Sequence, residues 1–292
     1  MRARVGAAGA VAALALSASA FAQQPALPVG NFGGGTVVAP PRDPLGAGNV
    51  VIGMRSIAGG KLQMEATVRG KCGGGTFPAK ATLAADGSFR AKGTNKRAPE
   101  TGLRLKTTFD ITGTLTASGV QDGVASAATE IRIKGSKTQT CASGKVPFQA
   151  RRASGEIGTP GAIAKARYYG NTSERRHSAK RGFVMRISSD GTKLTRALYG
   201  VTLKCDKRAI PDIVDTPRRS LVIDSSGTVV DNVKSTFKDA KTVTKSDERF
   251  QGTLGSVGAK GTLSITEVTK NRKTGKLIET CKTGTISWTA AL

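Results

Sequence analysis

The sequence contains a single histidine, His177, and this scarcity excludes much nucleophilic chemistry. A Ser-His or Cys-His pair would have only this imidazole as its base. His177 lies in a run of cations between residues 175 and 181, where Glu174 is the one carboxylate nearby in the sequence. Neighbouring cations disfavour a protonated imidazolium, so the pattern predicts an exposed loop histidine and no catalytic residue.

Clustered metal ligands and phosphate-binding motifs are also absent. The four cysteines are at least 64 positions apart, whereas structural metal sites use pairs such as C-x-x-C. The triglycines at 33–35 and 73–75 do not continue into a G-K-S/T or a G-x-G-x-x-G turn. We therefore expect no metal and no cofactor.

Beyond the amino terminus the chain has no apolar run long enough to cross a membrane. Arg2 and Arg4 precede a small, apolar stretch that ends at Ala20-Phe21-Ala22, which is typical of a secretory signal peptide cleaved after residue 22. Without these residues the net charge falls from +25 to +23, because two arginines are removed. The sequence predicts an exported protein, either secreted or associated with the cell envelope, without a transmembrane segment after cleavage.

The remainder consists of two tandem copies of one module. Residues 140–150 match residues 280–290 at a constant offset of 140, and an alternating apolar run precedes both Cys72 and Cys205. Each copy has the size of an ordinary domain. Glycine and proline mark the segments between them. We expect a signal peptide at 1–22, a flexible Gly/Pro-rich lead-in at 23–48, a first β domain at 49–153, a linker at 154–166 and a second β domain at 167–292.

Within each copy the apolar residues recur at every second position, which indicates strands with one buried face. Examples are Phe183, Met185 and Ile187, and later Ile286 and Trp288. Turn signals interrupt these runs at Asp86-Gly87, Asp122-Gly123 and Asp190-Gly191. The sequence predicts an all-β protein made of two tandem antiparallel β-sandwich or barrel domains related by internal duplication.

The duplication also predicts the disulfides. Each copy has one cysteine near its first third and one in its last part, so we expect Cys72 to pair with Cys141 and Cys205 with Cys281. An exported protein meets the oxidising environment that such bonds require.

Positive charge is the most unusual property of the chain, with 45 Lys and Arg against 20 Asp and Glu. Both copies are basic, which indicates a general property of the surface. A denser group that could bind polyanions consists of Arg175, Arg176, Lys180 and Arg181. The partners would be anionic cell-envelope polymers or extracellular DNA. Tyr168, Tyr169 and Tyr199 are the candidates for an exposed aromatic surface.

These features favour a non-enzymatic binding or envelope-associated protein. The alternative is a secreted glycan hydrolase that uses the carboxylates of Asp206, Asp212 and Asp215 on a loop of the second copy. A secreted inhibitor of another protein would leave no mark in the sequence. Asn171-Thr172-Ser173 additionally matches a glycosylation sequon.

Four segments of the second copy, at 168–173, 185–191, Cys205 and 280–290, resemble a family of exported tandem β modules of high-GC soil actinobacteria. The resemblance covers both copies and is better in the second. The first copy has residues 31–36 where the second copy has residues 168–173, and it has Phe148 where the second copy has Trp288. The resemblance implies no assigned activity, cofactor or catalytic residue.

Overall fold

The computed structural model describes residues 26–36, 48–70, 73–100, 102–206, 209–216 and 221–292, and the regular elements in these ranges are all β-strands. The predicted all-β class with two antiparallel domains is confirmed. No helix within these ranges has the length and apolarity needed to cross a membrane. The predicted signal peptide lies outside the described residues.

Nine strands form the sheet of the first copy, in the spatial order β4-β3-β2-β1-β9-β7-β6-β5, with β8 beside β7. The strands are β1 Gly30–Thr36, β2 Val50–Ile57, β3 Lys61–Gly70, β4 Gly73–Thr82, β5 Ser88–Glu100, β6 Leu103–Thr114, β7 Gly119–Ile133, β8 Gln139–Ala142 and β9 Val146–Arg151.

Ten strands form the sheet of the second copy, in the order β13-β12-β11-β10-β19-β17-β16-β15. They are β10 Arg167–Arg176, β11 Ala179–Ile187, β12 Lys193–Cys205, β13 Ala209–Thr216, β14 Leu221–Val222, β15 Thr228–Lys238, β16 Thr242–Leu254, β17 Gly258–Asn271, β18 Leu277–Lys282 and β19 Ile286–Ala291. Apart from the short β14, each strand has a counterpart at the same place in the first sheet, as a duplication requires.

The second copy closes into a barrel of six strands. Strand β18 pairs with β17 on one side and with β12 on the other, so the path β10, β11, β12, β18, β17 and β19 returns to its start. In the first copy β8 pairs with β7, and the backbone of Ala142 lies close to Gly70 on β3. The first barrel is therefore nearly closed.

Strand β1 lies inside the segment that the sequence suggested as a flexible lead-in. It pairs with β2 and β9 and so joins the two halves of the first sheet. The triglycine at 33–35 is part of this strand. The backbone at Gly33 packs directly on the backbone of the second copy, because a Cβ there would lie 2.0 Å from the Gly170 carbonyl oxygen. Residues 154–166, the expected linker, contain bends and one bridge but no strand.

Two of the three predicted Asp-Gly turns are present. Gly87 and Gly191 follow their aspartates with positive φ angles of 81° and 79°. Asp122-Gly123 instead lies within β7, beside a register shift between Val120 and Gly123. A Cβ at Gly123 would lie 2.5 Å from the Phe148 ring, so this glycine makes room for an aromatic side chain and does not form a turn.

Each copy has its own apolar core. In the second copy Phe183 stacks on Trp288 with ring centroids 4.5 Å apart, and Phe250 lies 5.3 Å from the same indole. The tyrosines proposed as an exposed surface are buried instead: Tyr168 and Tyr199 are fully buried and Tyr169 is 5% exposed. The rings of Tyr168 and Tyr199 fill the core of the second copy while their hydroxyls reach polar groups: the Tyr168 hydroxyl donates to the Gly255 carbonyl oxygen at 2.9 Å, and the Tyr199 hydroxyl donates to Glu248.

The two copies pack against each other through glycine. A Cβ at Gly53 would lie 1.6 Å from the Lys180 carbonyl oxygen, and one at Gly182 would lie 2.4 Å from that of Ile52. Beside these contacts a small apolar cluster spans both copies, formed by Val51, Tyr169, Val184 and Leu198. The close approach requires the absence of side chains at both glycines.

Candidate functional site

The cations predicted to bind polyanions do not share one exposed surface. Arg175, Arg176, Lys180 and Arg181 lie on the hairpin β10–β11, whose tip contacts the first copy. Arg181 is 1% exposed, and its Nη1 lies 3.5 Å from the Glu65 Oε1. Arg176 contacts the same carboxylate at 3.5 Å. Arg181 is therefore buried in a contact with Glu65, Arg176 and Lys180 are partly buried, and Arg175 is the exposed member of the group.

His177 also contacts Glu65, through Nδ1 at 3.0 Å from Oε2. It forms the hairpin turn with Ser178, and both residues have positive φ angles, 48° and 74°. The sequence suggested that no carboxylate beyond Glu174 could orient this imidazole. Glu65 does so, and it comes from the other copy, 112 positions away.

Glu174 lies on the same hairpin and is partly buried beside Arg181. Burial raises the pKa of its carboxyl above the ordinary value, although the nearby Arg181 acts in the opposite direction. Asn171 is also buried at this interface, and its Nδ2 donates to the Phe32 carbonyl oxygen at 3.0 Å. The sequon nitrogen is therefore inaccessible to glycosylation in the folded protein.

The carboxylates of the alternative hydrolase hypothesis do not lie on one loop. Asp212 and Asp215 belong to strand β13, opposite Val201 and Leu198 of β12, and their side chains lie outside the described part of the structure. Asp206 follows β12, and its Oδ2 accepts a hydrogen bond from the Thr280 N–H at 3.3 Å. This contact anchors β18 beside β12.

The predicted disulfide between Cys205 and Cys281 is present and joins β12 to β18. Cys141 is disulfide-bonded as well, while Cys72, its predicted partner, lies outside the described residues. Glu279 lies near Cys205 and Cys281, with ligand atoms within 4.8 Å of one another. The two sulfur atoms are bonded to each other and so provide no thiolate for a metal.

The most strongly charged surfaces are the outer faces of the long strands. We call face 1 the outer side of β5, β6 and β7, where register places directly opposed residues on the same side. It holds three carboxylates, Asp110, Asp122 and Glu130, and six cations, for a net charge of +3: Arg90, Lys92, Lys96, Arg104, Lys106 and Arg132.

Two carboxylates of face 1, Asp110 and Glu130, are paired with cations. Arg90 binds Asp110 through Nε at 3.0 Å and Nη2 at 2.7 Å, and this hydrogen bond lowers the pKa of Asp110. Lys106 approaches Glu130 to 3.2 Å and lowers the pKa of that carboxyl too. The face thus remains a mixed network in which cations are in excess.

Face 2 is the corresponding outer side of β15, β16 and β17 in the second copy. It holds one carboxylate, Asp247, and six exposed cations, for a net charge of +5: Lys234, Lys238, Lys245, Arg249, Lys260 and Lys270. Arg249 approaches Asp247 to 3.6 Å. In the part of the chain that the structure describes, the five lysines form no ion pair, so their ammonium groups are available to a ligand.

Both faces are net positive although few of their cations occupy equivalent positions. From the strand registers, Lys106 corresponds to Lys245 and Arg132 to Lys270, whereas Arg90 and Lys92 correspond to Val230 and Asn232. The sequence suggested an even distribution of charge. The sequence signal that could have revealed the two faces is the alternation along each strand. The cations occupy every second position, between buried residues such as Ala91 and Phe250.

No family model and no curated protein matches the chain. Among solved structures the chain is similar to kievitone hydratase from Nectria haematococca, with 8% sequence identity, 90% of each chain covered and a TM-score of 0.20. A similarity this low establishes neither fold nor function.

Proposed function

We propose that the protein acts outside the cell as a non-enzymatic binder of linear phosphodiester polymers, either envelope polymers or extracellular DNA, and that face 1 and face 2 are its binding surfaces. The observation that carries the proposal is face 2, where five lysines project from one side of a three-stranded sheet without ion pairs among the described residues. Like charges on neighbouring strands repel each other, and an anionic polymer relieves that repulsion.

The arrangement suits an extended ligand. Residues on one face of a strand repeat at about 6.7 Å, and neighbouring strands are about 4.8 Å apart. Successive rows of face 2 contain Lys238 with Lys270, then Lys245, then Lys234, then Arg249. A polymer lying along β16 would meet a cation in each of four rows over about 20 Å.

Recognition of this kind is electrostatic and tolerant of sequence. The aromatic rings that stack on bases in single-strand binders are absent from the exposed parts of face 1 and face 2, since Phe109 and Phe250 lie on the inner side. Affinity therefore depends on counterion release, and it falls as salt is added.

Export is the second part of the proposal. The disulfide between Cys205 and Cys281 is typical of oxidising compartments. The amino-terminal signal predicted from the sequence gives the route. In such a location anionic polymers are the abundant polyvalent ligands.

The test is a salt titration of binding to a 12-nucleotide single-stranded DNA and to a linear polyphosphate. With about four phosphate contacts, log K should fall against log salt with a slope of about −3. Replacing Lys234, Lys238, Lys245 and Lys270 with Gln should weaken binding at low salt and make the slope shallower, because the contacts of face 2 are lost while those of face 1 remain.

The control variant removes the same charge elsewhere. Lys61, Lys80, Lys145 and Lys193 are exposed lysines outside both faces. Their replacement with Gln lowers the net charge equally and should leave most of the slope in place. Equal losses in the two variants, or no binding of either polymer at low salt, would overturn the proposal.

A further inference from the structure

A shallow depression of about 490 Å³ opens at the seam where β12 meets β18 in the second copy. Its walls are polar: they consist of Lys204, Asp206, Thr280, Lys282, Thr283 and Gly284. It borders face 2, because β18 pairs with β17, but it is concave and its two lysines belong to β12 and β18.

Two lysines stand directly opposite each other in this depression. Lys204 of β12 pairs in register with Lys282 of β18, and both are exposed. Neither forms an ion pair within the described ranges. Like charges directly opposite on antiparallel strands destabilise the pairing, so an anion between them would be favoured.

The disulfide holds the two lysines in this position. Cys205 and Cys281 are the adjacent residues in the same register and are covalently joined. The β12–β18 ladder contains just these two residue pairs, so the bond fixes a short contact that charge repulsion opposes. A site that is held in place before binding loses less entropy when its ligand arrives.

The turn that borders the depression is equally well fixed. The Thr283 hydroxyl donates to the Gly284 carbonyl oxygen at 2.7 Å and accepts from the Ile265 N–H at 2.9 Å. Gly284 has a positive φ of 69°. Asp206 is held against the Thr280 N–H.

The first copy shows that the fold does not require the lysine of β18. Its matching segment forms the same turn, with the Ser143 hydroxyl donating to the Gly144 carbonyl oxygen at 2.7 Å and accepting from the Ala127 N–H at 3.0 Å. The position of Lys282 is there occupied by Ala142. Lys282 therefore has no counterpart in the first copy, where the same turn forms without a lysine.

We infer that this depression is a binding site for a single phosphate or sulfate ester carried on a hydroxylated chain. The ammonium groups of Lys204 and Lys282 bind the ester oxygens as charge-assisted hydrogen-bond donors. The Asp206 carboxylate disfavours a second anion beside the first and can accept a hydrogen bond from a neighbouring hydroxyl group.

The site also continues face 2. Register places Lys234, Asp247, Thr266, Lys282 and Lys204 in one row across five strands. A polymer bound on face 2 could therefore place a terminal or pendant ester in the depression. This extension to a polymer rests on the proposed function, whereas binding of a small ester does not.

The experiment uses the full chain and follows the amide NMR signals of Thr280, Thr283 and Gly284 at constant ionic strength. Inorganic phosphate, sulfate and glycerol 1-phosphate are titrated separately, so that the arms distinguish the anion and the contribution of the hydroxyl groups. Saturable shifts with tighter binding of glycerol 1-phosphate are expected. Shifts that grow linearly without saturation for all three probes would overturn the inference.

The variant K204Q/K282Q should weaken binding of glycerol 1-phosphate at least about tenfold, because two charge-assisted contacts are lost. The matched control K238Q/K270Q removes two cations from face 2, also in one row. It should leave the affinity within about twofold. An equal loss in the control would overturn the inference.

The same variants separate the two proposals. If K204Q/K282Q loses ester binding but still binds DNA, the ester site in the depression is supported and the proposal for face 2 is unaffected. Saturable ester binding in a protein that binds neither DNA nor polyphosphate sinks the proposed function alone. A disulfide assay and a thermal melt confirm that each variant is folded.

Discussion

Glu65 of the first copy and Arg181 of the second copy form an ion pair that is buried between the two copies. Their side chains are 3% and 1% exposed, and Oε1 lies 3.5 Å from Nη1. The same carboxylate contacts His177 and Arg176 from the hairpin tip. A buried charge is tolerated only with such partners, so the two copies depend on each other for electrostatic balance.

Removing this carboxylate should be costly. Glu65→Gln leaves Arg181 and Arg176 without their shared anion, and we expect a loss of about 3–5 kcal/mol in the free energy of unfolding, measured by urea denaturation. Glu130→Gln is the control, because its ion pair with Lys106 is open to solvent and its removal should lower the free energy of unfolding much less. Similar losses in both variants would contradict the buried pair.

Gly53 should tolerate no side chain. Gly53→Ala places a Cβ against the Lys180 carbonyl oxygen, and we expect about 1–3 kcal/mol of destabilisation from overpacking together with faster proteolysis within 154–166, as the copies separate. Gly135→Ala is the control: it has open space and a φ of 81°, so it should cost about 1 kcal/mol of strain without exposing that segment. Unchanged proteolysis in Gly53→Ala would count against the interface.

The second copy should fold alone but less stably than in the full chain. Residues 161–292 contain a complete apolar core and the disulfide, which predicts a cooperative thermal melt. Isolation exposes Tyr169, Val184 and Leu198 and removes Glu65 from Arg181, so the melting temperature should fall. A melt without cooperativity would show that the two copies share one folding unit.

The disulfides should be local to each copy and strongly stabilising. Non-reducing peptide mapping should show Cys72 joined to Cys141 as well as Cys205 joined to Cys281. Because the latter bond spans 76 positions, replacing both of its cysteines with Ser should cost about 4 kcal/mol in the chain-entropy model, measured by urea denaturation. Cross-linked peptides that join the two copies would contradict this pairing.

The turn at Asp190 should persist in acid. The Ser188 hydroxyl and the Thr192 N–H donate to its carboxylate and lower its pKa to about 2. Because the pKa in the folded protein lies below the ordinary aspartate value of 3.8, the stability that this carboxylate contributes is complete above that value and is lost as the pH falls toward about 2. Carboxyl NMR titration should show this midpoint, and Ser188→Ala, which removes the largest cause, should move it upward. An unchanged midpoint in that variant would contradict the assigned cause.

The period-two pattern was sufficient to predict the β class and the burial of Phe183 and Trp288, because alternation directly reflects which face of a strand meets the core. The duplication followed from the segments repeated at an offset of 140. Cysteine placement within each copy predicted the bond between Cys205 and Cys281. The pattern failed at Tyr168, Tyr169 and Tyr199, where burial of an apolar ring prevailed over the polar hydroxyl, and at Asp122-Gly123, where an aromatic neighbour uses the space that glycine leaves.

The sequence by itself determined much of what lies within a copy: the alternating strands and their inner faces, the bond between Cys205 and Cys281, and the positive charge. Tertiary structure decided what lies between elements that are distant in the chain. Contacts at Gly33 and Gly53 involve backbone alone and leave no side-chain pattern, and Glu65 meets His177 across 112 positions. The grouping of cations into face 1 and face 2, and the meeting of Lys204 with Lys282, required the strand register, because charges become neighbours only when hydrogen bonding sets which residues lie opposite each other.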